Sequence, residues 1–155
     1  NSAVVPLTDG HLCLLTYGMT DVIMDVSGYF ASGFEAIEGE RVVNSRDDEA
    51  TSKQGATAGY GTPLRVNVAS GDVPSDASAV AVNLTVTNTE EWGFVSAYAC
   101  SSTSMEEWPG NSNVNFDSAG MTIANSAVVP LTDGHLCLLT YGMTDVIMDV
   151  SGYFG

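Results

Sequence analysis

NSAVVPLTDGHLCLLTYGMTDVIMDVSGYF, residues 125–154, is the stretch on which the fold turns. In its last third Val146, Met148, Val150 and Phe154 fall on one face of an extended chain, and Asp145, Asp149, Ser151 and Tyr153 fall on the other. That alternation has the period of a half-buried strand. Asp133-Gly134 and Tyr141-Gly142 are turn signals that divide the stretch, predicting strands at 122–130, at 135–141 and over the final segment. Residues 1–30 read the same, without one difference, 124 residues earlier.

An identity of this length marks a tandem array with a 124-residue unit. Residues 1–30 are then the C-terminal part of a preceding repeat, and 31–154 one complete unit; the alternative phase is 1–124. Such a unit is long enough to bury its own core, so the array should be beads on a string rather than a continuous solenoid. Whichever phase holds, one 30-residue copy is left over. Being strand-like, it should fray or pair with another molecule by strand exchange. With no initiator methionine and no signal peptide, the chain reads as a fragment or a processed product.

The same alternation extends outward. Leu64, Val66 and Val68 alternate with polar residues, as do Val80, Val82, Leu84 and Val86, and Val114 and Phe116. Further strands are expected at 41–45 and 93–100. About eight short strands per 124-residue unit, separated by turn signals, predict an all-β, antiparallel β-sandwich of jelly-roll or Ig-like type. Residues 47–62 form one long polar loop.

Composition narrows the function. There are 19 Asp and Glu against 4 Lys and Arg, a net charge of −15. A nucleic-acid partner needs a basic stripe, which Arg41, Lys53, Arg46 and Arg65 cannot make. No apolar run approaches the roughly 20 residues of a membrane-spanning helix, so no membrane insertion is expected.

Little catalytic chemistry is visible. His11 and His135 are copies of one turn-adjacent position, and no GxSxG or HExxH motif accompanies them. Asp47, Asp48 and Glu49 are the calcium candidates, as a run of carboxylates; otherwise no cofactor is expected. Lys53, in the polar loop, is poorly placed for an isopeptide link to Asn. Two cysteines per unit suit one disulfide in an oxidising compartment. Cys100 would pair with Cys137 in the phase 31–154 or with Cys13 in the phase 1–124. No CxxC pair suggests zinc. Trp92 and Trp108 each follow a Glu-Glu pair and are the candidate glycan contacts, with Tyr60, Tyr98 and Tyr141 as further rings.

Several segments carry a resemblance. Arg41-Val42-Val43-Asn44-Ser45-Arg46 resembles an R-hydrophobic-x-D-T-R opening, with Asn44-Ser45 in place of Asp-Thr. Asn83–Thr87 resembles NxTxT, Gly93–Cys100 a G-[FY]-[LV]-[TS]-[AV]-[YW]-P-C strand, and Ser112–Phe116 SN[LV]N[FY]. Asp133–Cys137 and Thr144–Phe154 are similar to DGxLC and TDVIxDVxGYF. Together they resemble a tandem-repeat β-rich module of large secreted and cell-surface proteins of actinobacteria and relatives. The resemblance implies an extracellular module without known catalysis, and brings no binding residues with it.

The expected function is a structural one: an extracellular repeat module of a stalk, fibre or filament/adhesin shaft, not an enzyme. Its expected partners are copies of itself, head-to-tail or strand-exchanged. The alternative is a carbohydrate-binding surface module that uses loop aromatics.

Overall fold

The computed structural model describes residues 3–24, 26, 29, 33–46, 62–104 and 107–155. Eight strands are formed: β1 (Phe34–Asn44), β2 (Leu64–Asn67), β3 (Ala79–Thr87), β4 (Gly93–Ala99), β5 (Val114–Phe116), β6 (Ile123–Pro130), β7 (His135–Tyr141) and β8 (Asp145–Phe154). They make two four-stranded sheets, ordered β1-β8-β3-β6 and β2-β7-β4-β5, with antiparallel pairing throughout. The described residues are all-β, and among them there is no helix long and apolar enough to cross a membrane.

Period-2 alternation puts one row of each strand between the sheets. Val80, Val82, Leu84 and Val86 of β3 and Val146, Met148 and Val150 of β8 face Val66, Leu136, Leu138, Val95, Val114 and Phe116 of the other sheet, all in one buried cluster.

Two departures from simple alternation come from bulges. β1 starts at Phe34, well before the strand expected at 41–45, and register shifts lie between its Ala36 and Glu40 and between its Arg41 and Val43. In β8 a shift opposite Ala81 and Val82 leaves Ser151 as the extra residue. A bulge reverses the side-chain phase beyond it. Tyr153 therefore packs against the core, while Phe154 leaves the face of Val146 and Met148 and its ring lies 5.0 Å from that of Phe34. The sequence-based assignment of Phe154 to the core face and Tyr153 to the opposite one is thus corrected.

The two identical segments have different structures. Residues 125–154 supply most of β6 and all of β7 and β8, whereas no described residue of 1–30 lies in a strand. Leu15 is 98% exposed and its copy Leu139 9%; Ile23 is 89% exposed and its copy Ile147 7%. One local feature forms in both. Thr8 and His11 bridge around Asp9-Gly10 just as Thr132 and His135 bridge around Asp133-Gly134, with positive φ at both central residues of each turn. That is the Asp-Gly hairpin turn, which needs only its own residues. Strand formation needs a partner, and in 125–154 each partner comes from β1–β4.

Gly93 marks the tightest approach between strands. A Cβ there would collide with the Tyr141 carbonyl oxygen and lie 2.6 Å from the Phe116 ring, whereas a Cβ at Gly39 would meet nothing within 4 Å. Gly93→Ala should cost about 1–3 kcal/mol, the usual cost of overpacking. Urea unfolding of that variant beside Gly39→Ala checks it, with the midpoint expected to fall for Gly93→Ala and to move little for Gly39→Ala.

Candidate functional site

The outer face of the second sheet carries the side chains most suited to contact a ligand. Along β4 and just past it, Phe94, Ser96, Tyr98 and Cys100 alternate with core residues; along β7, Cys137, Leu139 and Tyr141 do the same. Phe94 lies opposite Tyr141, Ser96 opposite Leu139, and Tyr98 opposite Cys137. Cys100 and Cys137 are joined in a disulfide, with Cα atoms 5.6 Å apart. The bridge ties the end of β4 to β7, and Cys13 remains an exposed free thiol.

The chain leaving Cys100 returns to β5 across this face. Ser96 Oγ donates to Asn111 Oδ1 at 3.1 Å, and the Ala97 amide donates to Asn113 Oδ1 at 2.7 Å. Trp108 Nε1 donates to the Asn111 carbonyl at 2.9 Å. Ser96, Leu139, Tyr98 and both bridged cysteines are buried although they alternate with residues of the main core. Burial holds the Tyr98 phenol above its ordinary pKa, since the phenolate would lose its hydration. Its hydroxyl has no partner among the described residues.

Where the covering chain stops, four rings form a row. Trp108 stacks on Phe94 at 5.3 Å and 19°, Phe94 lies beside Tyr141 at 5.6 Å and 3°, and Trp92 tilts against Tyr141 at 5.2 Å and 41°. These separations are those of favourable offset ring pairs. The row is held by the sheet, through the Phe94–Tyr141 pair, and both tryptophans keep exposed surface: 59% for Trp92 and 39% for Trp108. Exposed indole on a rigid support is suited to the apolar face of a sugar ring or to a cation.

The structure thus brings Trp92 and Trp108 to the two ends of one row. Tyr141 is part of it, and Tyr98 is withdrawn into the buried patch below, out of reach of a glycan. Phe94, which joins the two ends, was not among the rings singled out by sequence. Its signal was its alternation with Val95 in a strand whose other face is core.

Asp47, Asp48 and Glu49 lie outside the described residues, as do Lys53 and Tyr60. Among the described residues no group of three or more His, Cys, Asp or Glu could hold a metal ion. His135 Nδ1 lies 2.6 Å from the Asp133 carbonyl oxygen and His11 Nδ1 2.7 Å from that of Asp9, so each ring is engaged by its own turn. In the opening motif Asn44 is buried, and its Oδ1 accepts from Arg46 Nε at 3.0 Å; Ser45 Oγ donates to Asp145 Oδ1 at 3.0 Å. These residues fasten the end of β1 to the start of β8.

No family model matches the chain, and no curated protein matches it.

The cysteine arrangement has a direct chemical consequence. A thiol reagent added to the folded, oxidised protein should modify one cysteine per chain, Cys13, and all three only after reduction and unfolding. Mass spectrometry of the alkylated protein checks this.

Proposed function

We propose that the protein is a structural repeat module of an extracellular stalk, fibre or filament/adhesin shaft. The observation that carries this reading is the 30-residue copy: one sequence appears both as integral strands of the sandwich and as an exposed segment whose described residues form no strand. A segment that is mostly apolar at its strand positions is costly to leave in water. Its placement makes sense as the closing piece of another unit, covalently preceding or strand-exchanged from a neighbour.

Other features support the reading. We read the strand order β1-β8-β3-β6 over β2-β7-β4-β5 as a jelly-roll form of the sandwich, which could stand alone as a bead. A buried disulfide suits an oxidising, extracellular setting. The net charge of −15 makes neighbouring beads repel and keeps an array extended and soluble. The resemblance of 31–154 to tandem cell-surface modules points the same way. Such a shaft needs no catalysis.

Electron microscopy of the native assembly from its source tests this. Filaments with a regular repeat near 35 Å per unit, the size that compact-chain scaling gives, are expected. Discrete monodisperse particles would sink the reading.

The aromatic row favours a second reading, a carbohydrate-binding surface. On that reading Trp92→Ala and Trp108→Ala should each weaken binding to cell-wall or host glycans at least tenfold while circular dichroism stays unchanged. Unaltered binding in both variants would remove it.

A further inference from the structure

The segment 1–30 has a second place to go, nearer than any neighbouring molecule. In the folded sandwich β8 lies antiparallel to β1, with Phe154 opposite Phe34, Tyr153 opposite Glu35 and Gly152 opposite Ala36. The sequence equivalents of Gly152, Tyr153 and Phe154 are Gly28, Tyr29 and Phe30. Phe30 is separated from Phe34 by Ala31, Ser32 and Gly33 alone. If 1–30 occupied the position of 125–154, the copy of β8 would therefore run into β1 through a three-residue hairpin loop, in the register already observed. Loops of that length commonly end on a left-handed residue, usually glycine. Gly33 already has φ +76°.

We propose that 1–30 and 125–154 are interchangeable occupants of one site, the frame β1–β5 of the same chain, so that the protein has two closed states related by circular permutation. In one, 34–154 forms the sandwich. In the other, 1–116 forms it, and 125–154 is released. Every core contact of the segment has its counterpart, because the side chains are the same: Leu12, Leu14, Val22, Met24 and Val26 take the places of Leu136, Leu138, Val146, Met148 and Val150. Cys13 takes the place of Cys137 against Cys100.

The two states differ only at the joints. Ile123 and Ala124, which pair with Val86 and Thr85, precede the repeated segment and are continuous with it in the state where 125–154 is in place. The state with 125–154 in place, the one observed, has those pairings. The disulfide then holds it. Passing from one state to the other in the oxidised protein requires the Cys13 thiolate to attack Cys100 Sγ while Cys137 leaves as thiolate, with no net oxidation. Both target sulfurs are fully buried, so β7 must first detach. The disulfide is thus the latch between the states, and reduction opens it. None of this requires that the native assembly be a filament.

The test is refolding of the full chain carrying Cys137→Ser from the reduced, unfolded state in a glutathione redox buffer. Glutathione disulfide takes the two electrons and two protons of the bond formed. Cys13 is then the one remaining partner for Cys100. Trypsin cleaves after Arg41 and Arg65, which puts Cys13 on fragment 1–41 and Cys100 on fragment 66–155. The expected result is a monomer in which these fragments are disulfide-linked in most molecules, against none in the unsubstituted protein before reduction, whose bond joins Cys100 to Cys137 within fragment 66–155. Two free thiols in a folded monomer, or a link confined to covalent dimers, would overturn the proposal.

A second set of full-length variants uses no cysteine. Met148 is fully buried and Met24 exposed. Met148→Asp should leave the protein folded by circular dichroism and transfer chymotryptic cleavage from the Leu14–Tyr17 region to its copy at Leu138–Tyr141. Met24→Asp should also fold, and the double variant should not. Unfolding of Met148→Asp alone would refute interchangeability.

Discussion

The structure depends on one constraint: its strands are hydrogen-bonded almost entirely by strands distant in sequence. Only β4 and β5 are neighbours both along the chain and in a sheet. β7 lies between β2 and β4, and β8 between β1 and β3, so the last strands stand inside sheets whose edges were laid down first. Among the described residues β1 pairs with β8 alone and β2 with β7 alone. Frame and closing segment are each incomplete alone, because unpaired backbone amides and carbonyls of a buried strand are too costly to leave unmade. This explains how one sequence can be three strands in one place and none in another. Only the Asp-Gly turn, which draws on local residues, forms in both.

Much of this was legible in the sequence, for a physical reason. Both inner faces are apolar, so Val80–Val86, Leu64–Val68 and Val114–Phe116 display their burial as plain alternation. What alternation cannot show is its own interruption. The bulge at Ser151 shifts the period by one, exchanging the roles of Tyr153 and Phe154, and the irregularities between Ala36 and Glu40 and between Arg41 and Val43 interrupt β1 and hide its first half. Nor could it show that the polar-looking outer side of β4 and β7 is buried. Tyr98 reads as a further ring for a glycan, yet it and Ser96 are buried, with Asn111 bonded to Ser96 and Asn113 to the Ala97 amide. The pairing of Cys100 was open by sequence for a different reason: Cys13 and Cys137 have identical neighbours on both sides, so no local signal distinguishes them.

The aromatic row and the disulfide belong to the same outer face. The disulfide anchors the start of the covering chain, and Trp108, farther along it, stacks on Phe94. Phe94 in turn meets Tyr141, the residue that ends β7. In the permuted closure Tyr17 would fill Tyr141's position, so the row would persist with one of its four rings drawn from the other end of the chain. A surface built this way is insensitive to which copy closes the unit.

The extent of the identity between the copies separates cause from consequence. Interchange of 1–30 and 125–154 needs only matching core residues and a matching cysteine. Yet the identity includes positions that no packing dictates: Met143 is 54% exposed even in the folded copy, and Met19 is its equal in sequence. Selection for exchange would leave such positions free to differ. Repetition of the unit as a whole accounts for them, and interchangeability then follows from geometry, because the end of β8 and the start of β1 are hydrogen-bonded neighbours. Any sandwich repeat whose first and last strands pair side by side, joined to the next unit by a hairpin-length linker, offers its closing segment to two frames at once. In such an array the boundary between beads is set by which closure forms first and is latched, and not by the linear order of the residues.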